Sequence, residues 1–262
     1  LRIGFIIFGM TNFSARFFPA FFAILGVIAL YFLGLLGFRS QKKAFLSSLV
    51  LLSGGLYIGL ARTVFTDMIF SILILLSMVS FYWAYSRREN KVLGIWLFYI
   101  FSAFAVLTKG PLGFLIPILA IFVFLLIKKE LKFFFCKSLL LGFLCFLLIS
   151  LPWYILMIKR YGMVFIDEFF YNDHYRRIIE AEHITNDTWF FYPASMIGCI
   201  APWSLYLAAA FLGFIKKIKN NNQPLYLFLA CWVGSVFAIF QPAHSKLVNL
   251  MGEVTGRTTH AK

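Results

Sequence analysis

Asp67 and Lys109 are the two residues of this chain with most to explain. Asp67 stands in Arg62-Thr-Val-Phe-Thr-Asp67-Met and Lys109 in Leu107-Thr-Lys109-Gly110-Pro111, each between long apolar runs. A charge at the edge of hydrocarbon is costly and by default functional. A carboxylate can take a proton from a hydroxyl or orient it, and an ammonium can hold a phosphate. Lys246, in His244-Ser-Lys246-Leu247, invites the same use as Lys109. A third group lies in Asp173-His174-Tyr-Arg176-Arg177, where an acid and an imidazole adjoin two guanidiniums suited to bidentate phosphate recognition. Each has a plainer reading. Thr66 or Asp67 could cap a helix, with Arg62 as ion-pair partner. The two lysines could snorkel from helix ends, and the 173–177 cluster could be the solvated face of an interfacial helix. His174 and His183 match no usual zinc spacing, so the residues do not indicate a metal.

The elements that must position these groups follow from composition. Of 262 residues, 62% are apolar and 13% charged, with a mean hydropathy of +0.89. Soluble domains run near 45–50% apolar and about 25% charged, so a soluble globule is excluded. With 34 Phe and 12 Tyr, disorder is excluded too. The net charge of +14 would suit nucleic acid, but the basic residues lie in short clusters between apolar runs, the pattern of a polytopic membrane protein. Cys145, Cys199 and Cys231 sit inside apolar runs and Cys136 borders one; without a CxxC pair they read as small core residues.

Apolar runs long enough to span a bilayer occur near residues 16–38, 44–61, 66–84, 92–108, 111–127, 138–158, 192–215 and 225–241. They are longer than barrel strands and apolar all round, which predicts an all-α transmembrane bundle of about eight spans. The runs 92–108 and 111–127 are short and predict a tight hairpin bent at Pro111. Alternate loops hold Arg39, Lys42 and Lys43; Arg87, Arg88 and Lys91; Lys128, Lys129, Lys132 and Lys137; and Lys216, Lys217 and Lys219. Against these thirteen basic residues stand two acids, Glu89 and Glu130. These loops are therefore cytoplasmic and both chain ends are outside. The long outer connection, Lys159 to Trp189, is dense in ionisable groups. Its segment Phe165–Ile179 can be drawn as an amphipathic helix in the membrane interface. Two classes remain: an enzyme acting on a lipid phosphate at the outer leaflet, or a transporter or flippase. A transporter would show internal repeats and polar groups near the midplane; here the polar groups collect at one face, which favours the enzyme.

The ordered segments resemble a known family. They are Gly9-Met-Thr-Asn-Phe-Ser-Ala-Arg16-Phe, Ala61-Arg-Thr-Val-Phe-Thr-Asp67-Met68, Leu107-Thr-Lys109-Gly110-Pro111-Leu-Gly113, Leu151-Pro152-Trp153-Tyr154, the 169–177 cluster, Trp189-Phe-Phe-Tyr192-Pro193 and Ala201-Pro202-Trp203-Ser204. Together they are similar to the membrane glycosyltransferases of the C-type fold related to protein mannosyltransferases, above all the lipid A aminoarabinose transferase group. The resemblance implies a multi-pass enzyme of the bacterial inner membrane. It would take a sugar from a polyprenyl phosphate on the periplasmic side and pass it, with inversion, to lipid A or another lipid or protein acceptor. It implies Asp67, Asp173 and His174 as catalytic groups, and Arg62, Lys109, Arg176, Arg177 and Lys246 as contacts to the carrier phosphate. It names no certain cofactor and leaves a divalent metal open; nucleic acid is not among the expected partners. Family members carry a further N-terminal span with an acidic loop, and further C-terminal spans. Their absence from 1–262 predicts a truncated relative: one transmembrane domain over 1–250, periplasmic loop 159–190, and an unstructured or non-family tail, 251–262. An inactive remnant is thus the third reading.

Overall fold

The computed structural model describes residues 2–134, 137–169, 171, 195, 197–219 and 224–241. Among them there is no strand. Eleven α-helices are described: α1 (Arg2–Phe8), α2 (Asn12–Phe38), α3 (Gln41–Leu52), α4 (Gly55–Arg62), α5 (Asp67–Ser86), α6 (Lys91–Lys109), α7 (Leu112–Lys128), α8 (Lys137–Tyr161), α9 (Met163–Ile166), α10 (Leu207–Lys219) and α11 (Pro224–Phe240). Short 3₁₀ turns at Arg88–Asn90, Leu131–Phe134 and Trp203–Tyr206 join them.

In hydrocarbon a backbone polar group has no water to bond, so apolar runs this long satisfy themselves as helices. Among the described residues, four helices are long and apolar enough to cross a membrane: Asn12–Phe38, Asp67–Ser86, Arg88–Lys109 and Ser138–Tyr161. The expected run 44–61 is instead a pair, α3 and α4, bent by 61°; counted as one span it makes a fifth. The apolar helices Leu112–Lys128 and Pro224–Phe240 are shorter. The run 192–215, expected as one span, is not continuous: a 3₁₀ turn at Trp203–Tyr206 precedes α10, which has only 13 residues. Hydropathy registers composition and is blind to these breaks. The residues at them are not: Ser53-Gly54-Gly55 and Ala201-Pro202 interrupt the helical ladder, as Gly/Ser pairs and Pro do elsewhere.

The two breaks satisfy each other. The Gly55 amide donates to the Ala201 carbonyl at 3.0 Å, and Trp203 Nε1 donates to Ser53 Oγ at 2.9 Å. Ser53 Oγ in turn donates to the Leu49 carbonyl at 2.6 Å. Irregular backbone at membrane depth is tolerated only when another part of the protein supplies its partners.

The core lies where α5, α6, α7 and α11 meet: Met78, Phe81, Tyr82, Ile95, Phe98, Ala120, Phe124 and Phe228 are all buried. Phe124 and Tyr82 ring centroids stand 5.4 and 5.1 Å from that of Phe228. Membrane helices gain little from apolar burial against one another and rely on close backbone approach at small residues. Gly94 faces Ala84 and the Ser80 carbonyl, where a Cβ would fall 2.7–2.8 Å from them, and at Gly34 it would fall 2.8 Å from Ala44 Cα. One side of α8 is apolar and exposed, with Leu140, Leu144, Leu148 and Leu156 outward.

Following the chain, Arg39, Arg87, Arg88, Lys128 and Lys216 come to one rim, and Arg62, Asp67, Lys109 and Lys159 to the other. At the basic rim, Glu130 accepts from the Tyr85 hydroxyl at 3.3 Å and pairs with Arg88 at 3.8 Å. Arg87 meets Glu89 at 3.8 Å, and the Lys91 ammonium sits 4.2 Å from the Phe133 ring centroid.

Candidate active site

The site is built at the opposite rim from two helix ends. α5 begins at Asp67, with Thr66 in the N-cap position making no side-chain cap bond. The capping reading of Thr66 is thereby set aside, and Asp67 sits in the first turn, where the helix dipole favours an anion. α6 ends at Lys109, where the dipole favours a cation. Gly110, at φ +87°, stops the helix in a conformation that L side chains rarely adopt. Pro111 then opens α7, so the hairpin bend expected at Pro111 is present.

These two ends meet. Lys109 Nζ donates to Asp67 Oδ1 across 42 residues of sequence. Both side chains keep contact with the outside, at 37% and 46% exposure. Among the described residues, Lys109 is the one side chain bonded to Asp67. Arg62, expected as its partner, ends α4 as an exposed group with no carboxylate partner among the described residues. The short sequence interval pointed to Arg62; the packing of α5 against α6 selects Lys109. An ammonium has three donors and a carboxylate two acceptor oxygens. The pair therefore keeps donors for an anion on one member and an acceptor for a hydroxyl on the other.

The last turn of α6 is held from two sides. α7 approaches so closely at Gly113 that a Cβ there would lie 2.5 Å from the Ala105 carbonyl carbon and 2.6 Å from the Val106 nitrogen. On the α8 side the Tyr154 hydroxyl donates to the Val106 carbonyl at 3.2 Å, which also accepts the Gly110 amide at 2.8 Å. The Tyr154 ring belongs to an aromatic group with Trp153, Phe165 and Phe169, whose centroids lie 4.9, 6.5 and 5.7 Å from it. In the sequence Tyr154 stands out only as part of Leu151-Pro152-Trp153-Tyr154; a tyrosine in an apolar run must find a partner for its hydroxyl, and that is the signal it carries. Asp173, His174, Arg176, Arg177 and Lys246 lie outside the described residues, as does most of the 165–179 segment and the tail after Gln241.

Comparison with known proteins bears on this arrangement. The family model "Dolichyl-phosphate-mannose-protein mannosyltransferase" matches residues 1–163. The chain is 30% identical over 253 residues to an undecaprenyl phosphate-alpha-4-amino-4-deoxy-L-arabinose arabinosyl transferase of Proteus mirabilis, covering 94% of this chain and 44% of that protein. Its Yersinia pestis counterpart is 29% identical over 246 residues, covering 92% and 43%. The chain thus spans less than half the length of these relatives. Among solved structures, ArnT from Cupriavidus metallidurans bound to undecaprenyl phosphate superposes with a TM-score of 0.81, and its apo state with 0.76. At 21% identity, over 94% of this chain and 44% of theirs, that likeness is one of fold.

Proposed function

Because the chain belongs to the dolichyl-phosphate-mannose-protein mannosyltransferase family, we propose that it is a glycosyltransferase scaffold of the bacterial inner membrane. Its donor is a sugar on a polyprenyl phosphate, and its acceptor is lipid A or another envelope lipid or protein on the periplasmic face. The observation that carries this reading is the Asp67–Lys109 pair, partly exposed at the non-basic rim. The acceptor hydroxyl oxygen forms the new bond at the sugar's anomeric carbon while the bond to the phosphate oxygen breaks. Negative charge then grows on the departing polyprenyl phosphate, where ammonium and guanidinium groups stabilise it. Lys109 is assigned to that phosphate, with Arg62, Arg176, Arg177 and Lys246 as further contacts. Asp67 orients the acceptor hydroxyl and receives its proton, with Asp173 and His174 as the other catalytic candidates.

The relatives support this reading by what their names say they transfer, and the polyprenyl phosphate in the Cupriavidus structure supports the donor class. The test is reconstitution of the chain in vesicles with labelled polyprenyl-phosphate sugar and lipid A. Sugar appearing on the acceptor with release of polyprenyl phosphate, lost in Asp67→Asn and Lys109→Ala, is the expected result. Donor crossing the bilayer without release of polyprenyl phosphate would replace the enzyme with a flippase. Transfer unchanged in both variants would remove these residues from the site, and no transfer by the parent chain would leave a remnant with the family's fold.

A further inference from the structure

We propose that Tyr154 is a positioning residue for Lys109, an assignment that rests on the reading of Lys109 as a phosphate contact. Lys109 is the terminal residue of α6, and a helix end with unsatisfied carbonyls frays unless they find partners. The Val106 carbonyl lies one turn before that end and carries two bonds: the Gly110 amide at 2.8 Å, which closes the turn, and the Tyr154 hydroxyl at 3.2 Å, which ties it to α8. The Gly110 amide is the backbone group next to Lys109, so whatever steadies the Val106 carbonyl steadies the base of the lysine side chain. Gly113 blocks the same turn from moving toward α7. These two contacts hold the turn from which the ammonium reaches Asp67.

The ring of Tyr154 does a second task. It packs against Phe165 and Phe169, which are themselves stacked at 5.3 Å between centroids. Those residues open the long outer connection that holds the 173–177 cluster. One side chain therefore touches the start of that connection with its ring and the Lys109 turn with its hydroxyl. Tyr154→Phe removes the hydroxyl alone and keeps the aromatic packing, which makes it a clean probe.

The experiment measures undecaprenyl phosphate binding to the purified chain in nanodiscs for the parent, Tyr154→Phe, Lys109→Ala and the double variant. Amide exchange at Gly110 is followed in the parent and Tyr154→Phe. Loss of one hydrogen bond to the turn is expected to weaken binding about three- to tenfold, and Gly110 is expected to exchange faster while the middle of α5 does not. In the Lys109→Ala background the Tyr154→Phe loss disappears, since two residues acting through one contact are not additive. Where Lys109→Ala weakens binding, unchanged binding in Tyr154→Phe, or the same fold loss with and without Lys109, overturns the assignment. Should Lys109→Ala itself bind the probe like the parent, the phosphate reading fails. The exchange measurement then decides alone whether Tyr154 positions the turn: unchanged protection at Gly110 says that it does not.

Discussion

One carboxylate stands at each end of α5, Glu130 against its last turn and Asp67 in its first, and the two are built differently. At the basic rim, Glu130 is bonded by the Tyr85 hydroxyl and paired with Arg88, tying the 3₁₀ turn at Leu131–Phe134 to α5 and to the turn that precedes α6. At the other rim, Asp67 is joined to one ammonium and both partners stay partly exposed. The inner acid engages both of its oxygens, one with Tyr85 and one with Arg88, although Arg88 itself is 82% exposed. The outer pair is a single contact with donors and an acceptor left over. A carboxylate's use is therefore read from how much of its bonding capacity the protein consumes, more than from its depth in the bilayer.

The sharpest way to break that contrast is Asp67→Asn. Transfer in reconstituted vesicles should fall by about 100-fold or more, the usual contribution of a positioned acid or base. The unfolding free energy should move by less than about 1 kcal/mol, as for other partly exposed ion pairs. A thermal-unfolding loss far beyond that value would make the outer pair a staple like the inner one. Next comes Gly113→Ala, which sets a methyl against the backbone of residues 105 and 106. Overpacking of this kind costs about 1–3 kcal/mol, and because the strained turn carries Lys109, transfer should fall with stability. Glu130→Ala should do the reverse of Asp67→Asn. It leaves the half-buried Tyr85 hydroxyl without its acceptor, costing about 1–2 kcal/mol in unfolding measurements, the exposed Arg88 adding little, with transfer by the folded fraction unchanged. The smallest effect is expected of Ser53→Ala, which strands the Trp203 indole N–H for about 1 kcal/mol; unfolding of the variant in detergent measures it.

Much of this was legible in the residues. The apolar runs forecast α2, α5, α6 and α8, because a helix that must cross hydrocarbon announces itself by length. The alternation of basic loops sorted residues onto two rims, and Asp67 and Lys109 stood out singly as charges in apolar settings. Their pairing was not legible: it depends on the register of α5 against α6, which Gly94, Ala84 and Ser80 set by close approach, and no local spacing encodes it. Arg62 was expected beside Asp67 because it is near in sequence, and the chain between them carries it elsewhere. The breaks at residues 53–55 and 201–206 were missed because a window of hydropathy averages over Gly-Gly and Ala-Pro.

The mutual docking of those breaks bears on how the molecule comes to exist. Ser53 and Trp203 are 150 residues apart, so a ribosome releases the bent segment into the bilayer long before its counterpart is made. Until then the Gly55 amide must borrow another acceptor, from the insertion machinery, from lipid headgroups or from water drawn in beside it. Maturation of the early half thus waits on a short stretch near residue 200, and the order of synthesis is not the order in which the parts become finished.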